Sequence, residues 1–180
     1  MRQRQTMDIR FKGTPIHTSG NMPAAGARAP FFTLVKNDLT DATLGDFYGS
    51  RIVLNIFPSL DTPVCAASVR KFNQLAAGAR NTVVLCVSKD LPFAQARFCA
   101  ANGINNAITL SDIRFHSDFG RNYGLVMEDG PLSGLLARTV IAINERGVVI
   151  YAKICSEITS EPDYESIIKT MRRYANCKSN

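Results

Sequence analysis

Apolar residues along this chain follow two spacings, one typical of strands and one typical of helices. Residues 52–57 (IVLNIF) and 82–88 (TVVLCVS) are nearly continuous apolar runs, which predict strands buried on both faces. Residues 107–110 (AITL) predict a third strand. A helix from about Val64 to Ala79, with Pro63 in its first turn, is predicted between the first two strands. Its apolar stripe consists of Val69, Phe72, Leu75, Ala76 and Ala79.

Three further helices and a hairpin complete the second half of the chain. Residues 91–103 (LPFAQARFCAANG) predict a helix that Pro92 opens and Gly103 ends, and a short helix is predicted around Ser117–Tyr123. The apolar runs 138–144 and 148–154, joined by Asn-Glu-Arg-Gly, predict a β-hairpin. A C-terminal helix follows, whose buried stripe is Tyr164, Ile167, Ile168 and Met171 and whose N-cap pair is Ser160 and Asp163.

The first fifty residues predict smaller elements. Residues 8–18 indicate a hairpin, residues 19–30 an irregular connection, and residues 31–50 a strand, a turn and a helical piece near Leu44–Tyr48. Strands alternating with helices predict an α/β fold, a mixed central sheet flanked by helices on both faces. We expect one domain, residues 8–176, after a disordered leader at residues 1–7, and Met7 is an alternative start.

Composition and charge exclude some classes of protein. The net charge is +6, but the basic residues are scattered, and the densest group, near Arg172, suits a solvated helix face better than a nucleic-acid surface. No apolar run reaches the roughly 20 residues of a membrane-spanning helix. No apolar stretch follows the basic residues 1–10, so we expect no secretory signal and a cytoplasmic location.

The five cysteines are more informative than the charge. Their odd number and irregular spacing argue against a structural disulfide framework, and no CxxC motif is present. The only histidines are His17 and His116, so no Cys/His cluster has the spacing of a zinc site. We expect both histidines to be surface or structural residues, and we expect no bound metal.

One cysteine lies where a reactive thiol is expected. Cys65 follows a buried strand and falls in the first turn of the next helix, where free N–H groups and the positive helix end stabilise a thiolate. A thiolate is the form that attacks the O–O bond of a peroxide. Thr62 can direct its hydroxyl into the same pocket and bind the peroxide oxygens, and Pro58 can exclude water on one side.

These residues match a known signature. Pro58, Thr62 and Cys65 fit the Pro-x-x-x-Thr-x-x-Cys motif of peroxiredoxins, and the runs FPSLDTPVCAASVRKFNQLA, LPFAQARFC and EPDYESII closely resemble bacterial thiol peroxidases, the atypical two-cysteine branch. The resemblance covers about residues 8–174. It implies a thioredoxin-like fold with an added N-terminal β-hairpin, with Cys65 as the peroxidatic cysteine, Cys99 as the resolving cysteine and Arg138 as the active-site arginine.

The same resemblance implies the reaction and its partners. Hydrogen peroxide and organic hydroperoxides would be reduced to water and alcohols through a Cys65 sulfenic acid and an intramolecular Cys65–Cys99 disulfide. Thioredoxin would then reduce the disulfide, in a homodimeric enzyme that protects against oxidative stress. No metal, haem or flavin is required, because sulfur carries out the redox chemistry.

Other residues have competing interpretations. Arg70 could supply the cation near Cys65, although surface solvation suits it better. Cys86 is expected in the core, Cys155 is expected to pack, and Cys177 lies in a tail where only incidental oxidation is expected. Cys99 lies on a predicted helix and could also merely pack.

Three other functions also use a reactive cysteine. A thiol–disulfide oxidoreductase would use adjacent cysteines, and the CxxC motif is missing. A cysteine phosphatase needs an arginine six positions after the cysteine, where this chain has Lys71. A third hypothesis is a redox-sensing or chaperone-like binding protein, a role that the sequence also allows beside catalysis.

Disulfide geometry adds a structural expectation. The Cα atoms of a disulfide lie roughly 4.4–6.8 Å apart, closer than two cysteines on separate helices usually lie. We therefore predict that the first turn of the Cys65 helix and the segment around Cys99 unwind when the disulfide forms.

Overall fold

The structure is a computed structural model that describes residues 6–176. A seven-stranded mixed sheet lies at the centre of the protein. The order of its strands across the sheet is β4-β3-β7-β6-β5-β8-β9. A separate two-stranded sheet consists of β1 and β2. The strands are β1 (Asp8–Phe11), β2 (Thr14–His17), β3 (Thr33–Val35), β4 (Asp41–Thr43), β5 (Arg51–Ile56), β6 (Thr82–Ser88), β7 (Ala107–Ser111), β8 (Thr139–Ile143) and β9 (Val149–Ile154).

The three central strands determine where the functional residues lie. Strand β6 is parallel to both β5 and β7, so all three strands end at the same edge of the sheet. Strands β8 and β9 add an antiparallel hairpin beyond β5. Every residue of β5 is buried, which confirms the prediction from its continuous apolar run. Strand β4 is an additional short strand in a region that was predicted as a turn.

Helices cover both faces of the sheet, as predicted. They are α1 (Pro63–Ala77), α2 (Pro92–Asn102), α3 (Phe119–Asn122) and α4 (Tyr164–Asn176), with a 3-10 helix at Leu44–Phe47. Side chains alternate along β5, so Leu54 packs with Phe119 of α3 while Val53 packs with Phe72 of α1 and Ile167 of α4 on the other face. Among residues 6–176, no helix has both the length and the apolar character that crossing a membrane requires.

The helix ends have the residues that their geometry requires. Helices α1 and α2 both begin with proline, at a position where the missing N–H has no partner to lose. Gly103 ends α2 in the left-handed conformation, with φ of 62°. The cap of α4 differs from the prediction: Asp163 accepts the Ser166 backbone N–H at 3.1 Å and forms the cap itself, without Ser160 as its partner.

The N-terminal hairpin packs against the segment that follows β9. Ile9 and Ile16 lie in a small buried cluster with Ile158. Arg10 exchanges backbone hydrogen bonds with Ser156 and Ile158, at 2.7 and 2.9 Å. The hairpin therefore supports residues 156–158. The predicted leader, residues 1–7, lies outside the described residues except for Thr6 and Met7, and Cys177 also lies outside them.

Candidate active site

Cys65 lies three residues into α1, just beyond the carboxyl end of β5. Thr62 is the N-cap residue, and the first helical hydrogen bond runs from Ala66 N to Thr62 O at 3.0 Å. The backbone N–H of Cys65 therefore belongs to the first turn, whose donors have no acceptor within the helix. Cys65 is a free cysteine with 0% exposure, packed against Phe57 and Val69. Its sulfur lies in a low-dielectric environment where a nearby charge acts strongly.

Arg138 supplies that charge. Its Nη2 lies 3.2 Å from Cys65 Sγ, although the two residues are 73 positions apart in the chain. Arg138 immediately precedes β8, and β8 pairs with β5, so the topology brings the arginine beside the start of α1. The side chain is 2% exposed and forms no ion pair with any carboxylate of residues 6–176. Its positive charge therefore acts on the sulfur.

A backbone carbonyl fixes the orientation of this guanidinium. Arg138 Nε donates to the Ile158 carbonyl oxygen at 2.9 Å, and Nη1 has no hydrogen-bond partner among the described residues. Nη1 is thus an unpaired donor on the guanidinium that contacts the sulfur. Nothing in the local sequence around Ile158 indicated this contact, because it depends on how the N-terminal hairpin holds residues 156–158.

The carboxylate of Glu157 connects the turn of the N-terminal hairpin to residues 156–158 by hydrogen bonds. Glu157 accepts the backbone N–H groups of Lys12 and Gly13 at 3.1 and 3.0 Å. It also accepts the Thr159 backbone N–H and hydroxyl. These hydrogen bonds lower the pKa of Glu157 to about 2, the largest cause being the Thr159 N–H.

Thr62 and Pro58 lie in the loop before α1, as the motif requires. The Thr62 hydroxyl donates to Ser59 O at 3.1 Å, which leaves its oxygen lone pairs free to accept a hydrogen bond. Pro58 is buried. The structure thus brings Pro58, Thr62, Cys65 and Arg138 into one region at the carboxyl end of β5.

A half-buried carboxylate that sequence reasoning missed organises the same loop. Asp90, in the turn between β6 and α2, accepts hydrogen bonds from the Ser59 hydroxyl and the Leu60 N–H, each at 2.7 Å. It also accepts the Ser88 hydroxyl at 2.8 Å. Asp90 therefore connects the loop before Cys65 to the turn before the helix that carries Cys99. Its sequence signal was its position, since β5 and β6 are adjacent parallel strands and their carboxyl ends must meet.

Cys99 lies in the second half of α2 and packs at the edge of the apolar cluster that contains Cys65. It is half-buried, and its sulfur lies 3.4 Å from Thr109 Oγ1 and 3.8 Å from Asn37 Nδ2. It lines a cavity of about 240 Å³ with Lys36, Asp38 and Ile108 among its other lining residues. Cys65 and Cys99 are both free, so the structure represents the dithiol form. It does not place the two sulfurs in contact.

The other described cysteines are less suited to reaction. Cys86 is fully buried, as predicted, and burial raises the pKa of its thiol to about 12. Cys155 is half-buried, and burial raises the pKa of this thiol as well. Both shifts disfavour the thiolate that reacts. Arg70 is exposed and donates to Asn102 at 3.0 Å, so it is solvated, as expected, and is not a cation beside Cys65.

Both histidines lie on the surface. His17 pairs with Asp129 at 2.5 Å on the surface, where this carboxylate raises the pKa of the imidazole. His116 is exposed. Within residues 6–176 no three His, Cys, Asp or Glu side chains are grouped so that they could hold a metal ion.

Comparison with known proteins gives the site a context. Residues 24–168 match the redoxin family. A thiol peroxidase of Corynebacterium glutamicum is 50% identical over 161 residues, covering 89% of this chain and 96% of that protein. A thiol peroxidase of Mycobacterium bovis is 48% identical over 163 residues, covering 91% and 97%. The crystal structure of a peroxiredoxin-like protein from Aquifex aeolicus is 36% identical and superimposes with a TM-score of 0.88, covering 94% of this chain and 98% of that one.

Proposed function

The chain belongs to the redoxin family and is a thiol-dependent peroxidase of the peroxiredoxin type, and we propose how its own residues carry out the reaction. The peroxidatic residue is Cys65 and the resolving residue is Cys99. The observation that carries the proposal is the 3.2 Å contact between Arg138 Nη2 and Cys65 Sγ, in the first turn of a helix and away from water.

In the first step, the Cys65 thiolate attacks one oxygen of a hydroperoxide. An S–O bond forms, the O–O bond breaks, and the departing oxygen takes a proton and leaves as water or an alcohol. Arg138 stabilises the charge that moves from sulfur to the departing oxygen, because its free Nη1 can donate to it. Thr62 can accept the peroxide O–H with its free lone pairs, which orients the O–O bond along the line of attack.

In the second step, the Cys99 sulfur attacks the Cys65 sulfenic acid and water leaves, which gives the intramolecular disulfide. Neither helix brings the sulfurs together in the dithiol form. The start of α1 and the region around Cys99 must therefore unwind. Helix N-terminal turns with exposed residues such as Asp61 and Pro63 have low local stability, which makes this rearrangement feasible.

A dithiol protein then returns the enzyme to its starting form. We propose thioredoxin as this reductant, acting in the cytoplasm, with hydrogen peroxide and organic hydroperoxides as substrates and protection against oxidative stress as the role. The disulfide would pass to thioredoxin by thiol–disulfide exchange, so neither a metal nor an organic cofactor takes part.

We also propose a homodimer. Large apolar side chains are exposed just after the carboxyl ends of β6 and β7, namely Leu91, Phe93, Ile113 and Phe115. These strands are adjacent and parallel, so the four residues lie at the same end of the sheet as Cys65. Exposed apolar groups of this kind favour a protein–protein contact. Replacing Phe93 and Phe115 by serine should convert the dimer to a monomer in light scattering, and a wild type that is already monomeric would disprove this proposal.

The experiment that tests the function is peroxide-dependent NADPH oxidation with thioredoxin and thioredoxin reductase. Wild type and Cys155→Ser should both turn over repeatedly, Cys65→Ser should not consume peroxide, and Cys99→Ser should consume one equivalent and then recycle poorly. Full turnover by Cys65→Ser would show that another thiol reacts. Sulfenate formation without repeated turnover in wild type would favour the redox-sensing alternative.

A further inference from the structure

A large cavity lies at the opposite end of the sheet from Cys65. It holds about 500 Å³ between the last turns of α1 and α4, above the first residues of β5 and β6. Ligand cavities in proteins usually measure roughly 300–1,000 Å³. The walls are mostly apolar, and they include Val53, Phe72, Leu75, Ala79, Ile168 and Met171.

A buried arginine lines this apolar cavity. Arg51 is 6% exposed, and its Nη2 donates to Arg80 O at 2.6 Å. Its Nε has no acceptor among the described residues, and Arg51 forms no ion pair with a carboxylate of that part of the chain. A guanidinium removed from water without a counter-charge is costly, so it favours an anion within reach.

The surrounding charges have the same sign. Arg80 and Arg172 also line the cavity, and none of its described lining residues is acidic. Both of these arginines are exposed and therefore lie at its open side. An occupant that suits this cavity combines an anionic group, which arginine binds with two parallel hydrogen bonds, with an apolar chain that covers the walls.

We propose that this cavity binds a long-chain fatty acid, with its carboxylate at Arg51 and its alkyl chain along α1 and α4. A carboxylate accepts from planar guanidinium donors, and the chain displaces water from Leu75, Ile168 and Met171. The site lies far from the peroxidatic loop, since Arg51 begins β5 and Cys65 follows its other end. Binding at this site is independent of the peroxidase mechanism.

Gly78 lines the cavity and can take a side chain there without a clash. It lies at the end of α1 with φ of −102°, and a Cβ placed there meets nothing within 4 Å. Because Gly78 lines the cavity, Gly78→Leu adds a branched side chain at its wall, and Gly78→Ala is the matched control. Arg51→Gln and Arg172→Gln remove one charge each, from the buried and from the exposed part of the site.

The test is titration of the full-length protein with dansyl-labelled undecanoic acid, followed by its fluorescence, and displacement by palmitate. Wild type and Gly78→Ala should bind alike, and Gly78→Leu should weaken binding by about tenfold or more, because the leucine takes the place of several methylene groups. Arg51→Gln should weaken it by a similar factor and Arg172→Gln by about threefold, because only the first removes a buried charge.

Competitors distinguish the carboxylate from simple apolar binding. Palmitate should displace the probe, whereas its methyl ester and a dodecyl ammonium salt should not. Equal displacement by the ester would show an apolar cleft without anion recognition and would overturn the proposal. Absence of binding, or unchanged binding by Gly78→Leu, would overturn it as well, and peroxide consumption by Gly78→Leu at the wild-type rate shows that this variant is folded.

Discussion

Arg138 Nε donates a hydrogen bond of 2.9 Å to the Ile158 carbonyl oxygen, and this bond directs the far end of the guanidinium toward Cys65. The segment after β9 therefore holds Arg138, and Arg138 acts on Cys65 in α1. Arg138→Gln should lower the second-order rate constant with hydrogen peroxide by roughly 100-fold, as loss of a charge-stabilising donor does in other active sites. Arg138→Lys should recover part of the rate, because a lysine retains the charge without the planar donors.

Stopped-flow measurement of Cys99→Ser oxidation isolates that first step. Arg70→Gln is the control, since this arginine is exposed and bonded to Asn102. A similar loss in Arg70→Gln, or none in Arg138→Gln, would contradict the role of Arg138.

Asp90 should affect the rate of Cys65 oxidation by peroxide although it does not contact the sulfur. Asp90→Ala removes the acceptor of Ser59, Leu60 and Ser88, so the loop before Cys65 loses its connection to the turn before α2. We expect a destabilisation of about 1.5–3 kcal/mol, typical of hydrogen bonds to a charged group. The rate constant with peroxide should fall about tenfold, because the loop is less well ordered for attack.

Chemical denaturation and stopped-flow oxidation measure these two effects separately. Asp61→Asn is the matched control, since this carboxylate is in the same loop but exposed. Equal effects of the two substitutions would indicate that loss of local charge, and not the lost connection, is responsible.

The proposed disulfide should leave a local signature in the backbone. Oxidation should increase amide hydrogen exchange over residues 60–70 and 92–102, because the start of α1 and the region around Cys99 must open to bring the sulfurs together. Exchange over the buried strand β5 should not change. Mass spectrometry of reduced and peroxide-treated protein detects this difference. Identical exchange in both forms over 60–70 and 92–102 would rule out the unwinding, and peroxide-treated Cys99→Ser should show no such increase.

The lowered pKa of Glu157 predicts that the stability of the protein depends on pH. Its pKa is about 2 in the folded protein against an ordinary value of 4.5, so its carboxylate stabilises the fold fully above pH 4.5. This contribution is lost as the pH falls from 4.5 toward 2, when the carboxylate takes up a proton. The urea midpoint of wild type should therefore exceed that of Glu157→Gln at pH 7 and approach it near pH 2. A difference that does not change over this range would contradict the assignment, and the exposed Glu165→Gln should behave like wild type.

The sequence predicted the fold well where burial determines the pattern. The continuous apolar runs of β5 and β6 and the helical stripe of α1 led directly to the parallel centre of the sheet. The short strand β4 was missed because three residues, of which only Ala42 is buried, carry too little periodicity. The cap of α4 was assigned to a pair, although Asp163 caps the helix by itself.

The site residues likewise fall into those that a local motif identifies and those that only contacts between distant elements bring together. Pro58, Thr62 and Cys65 are local, so a motif within eight residues could identify them. The contact of Arg138 with Cys65 spans 73 residues, and its placement came from the family resemblance. Asp90 and the Ile158 carbonyl were not identified, because each acts through a contact between elements that meet only in the folded chain.

In the proposed mechanism, the sulfur of Cys65 is the atom that peroxide oxidises first. Reduced Cys99→Ser treated with one equivalent of hydrogen peroxide in the presence of dimedone, then digested and analysed by mass spectrometry, locates the sulfenic acid directly. We predict a dimedone adduct on Cys65, with Cys86 and Cys155 unmodified. An adduct on either of those residues, with Cys65 still a free thiol, would contradict it.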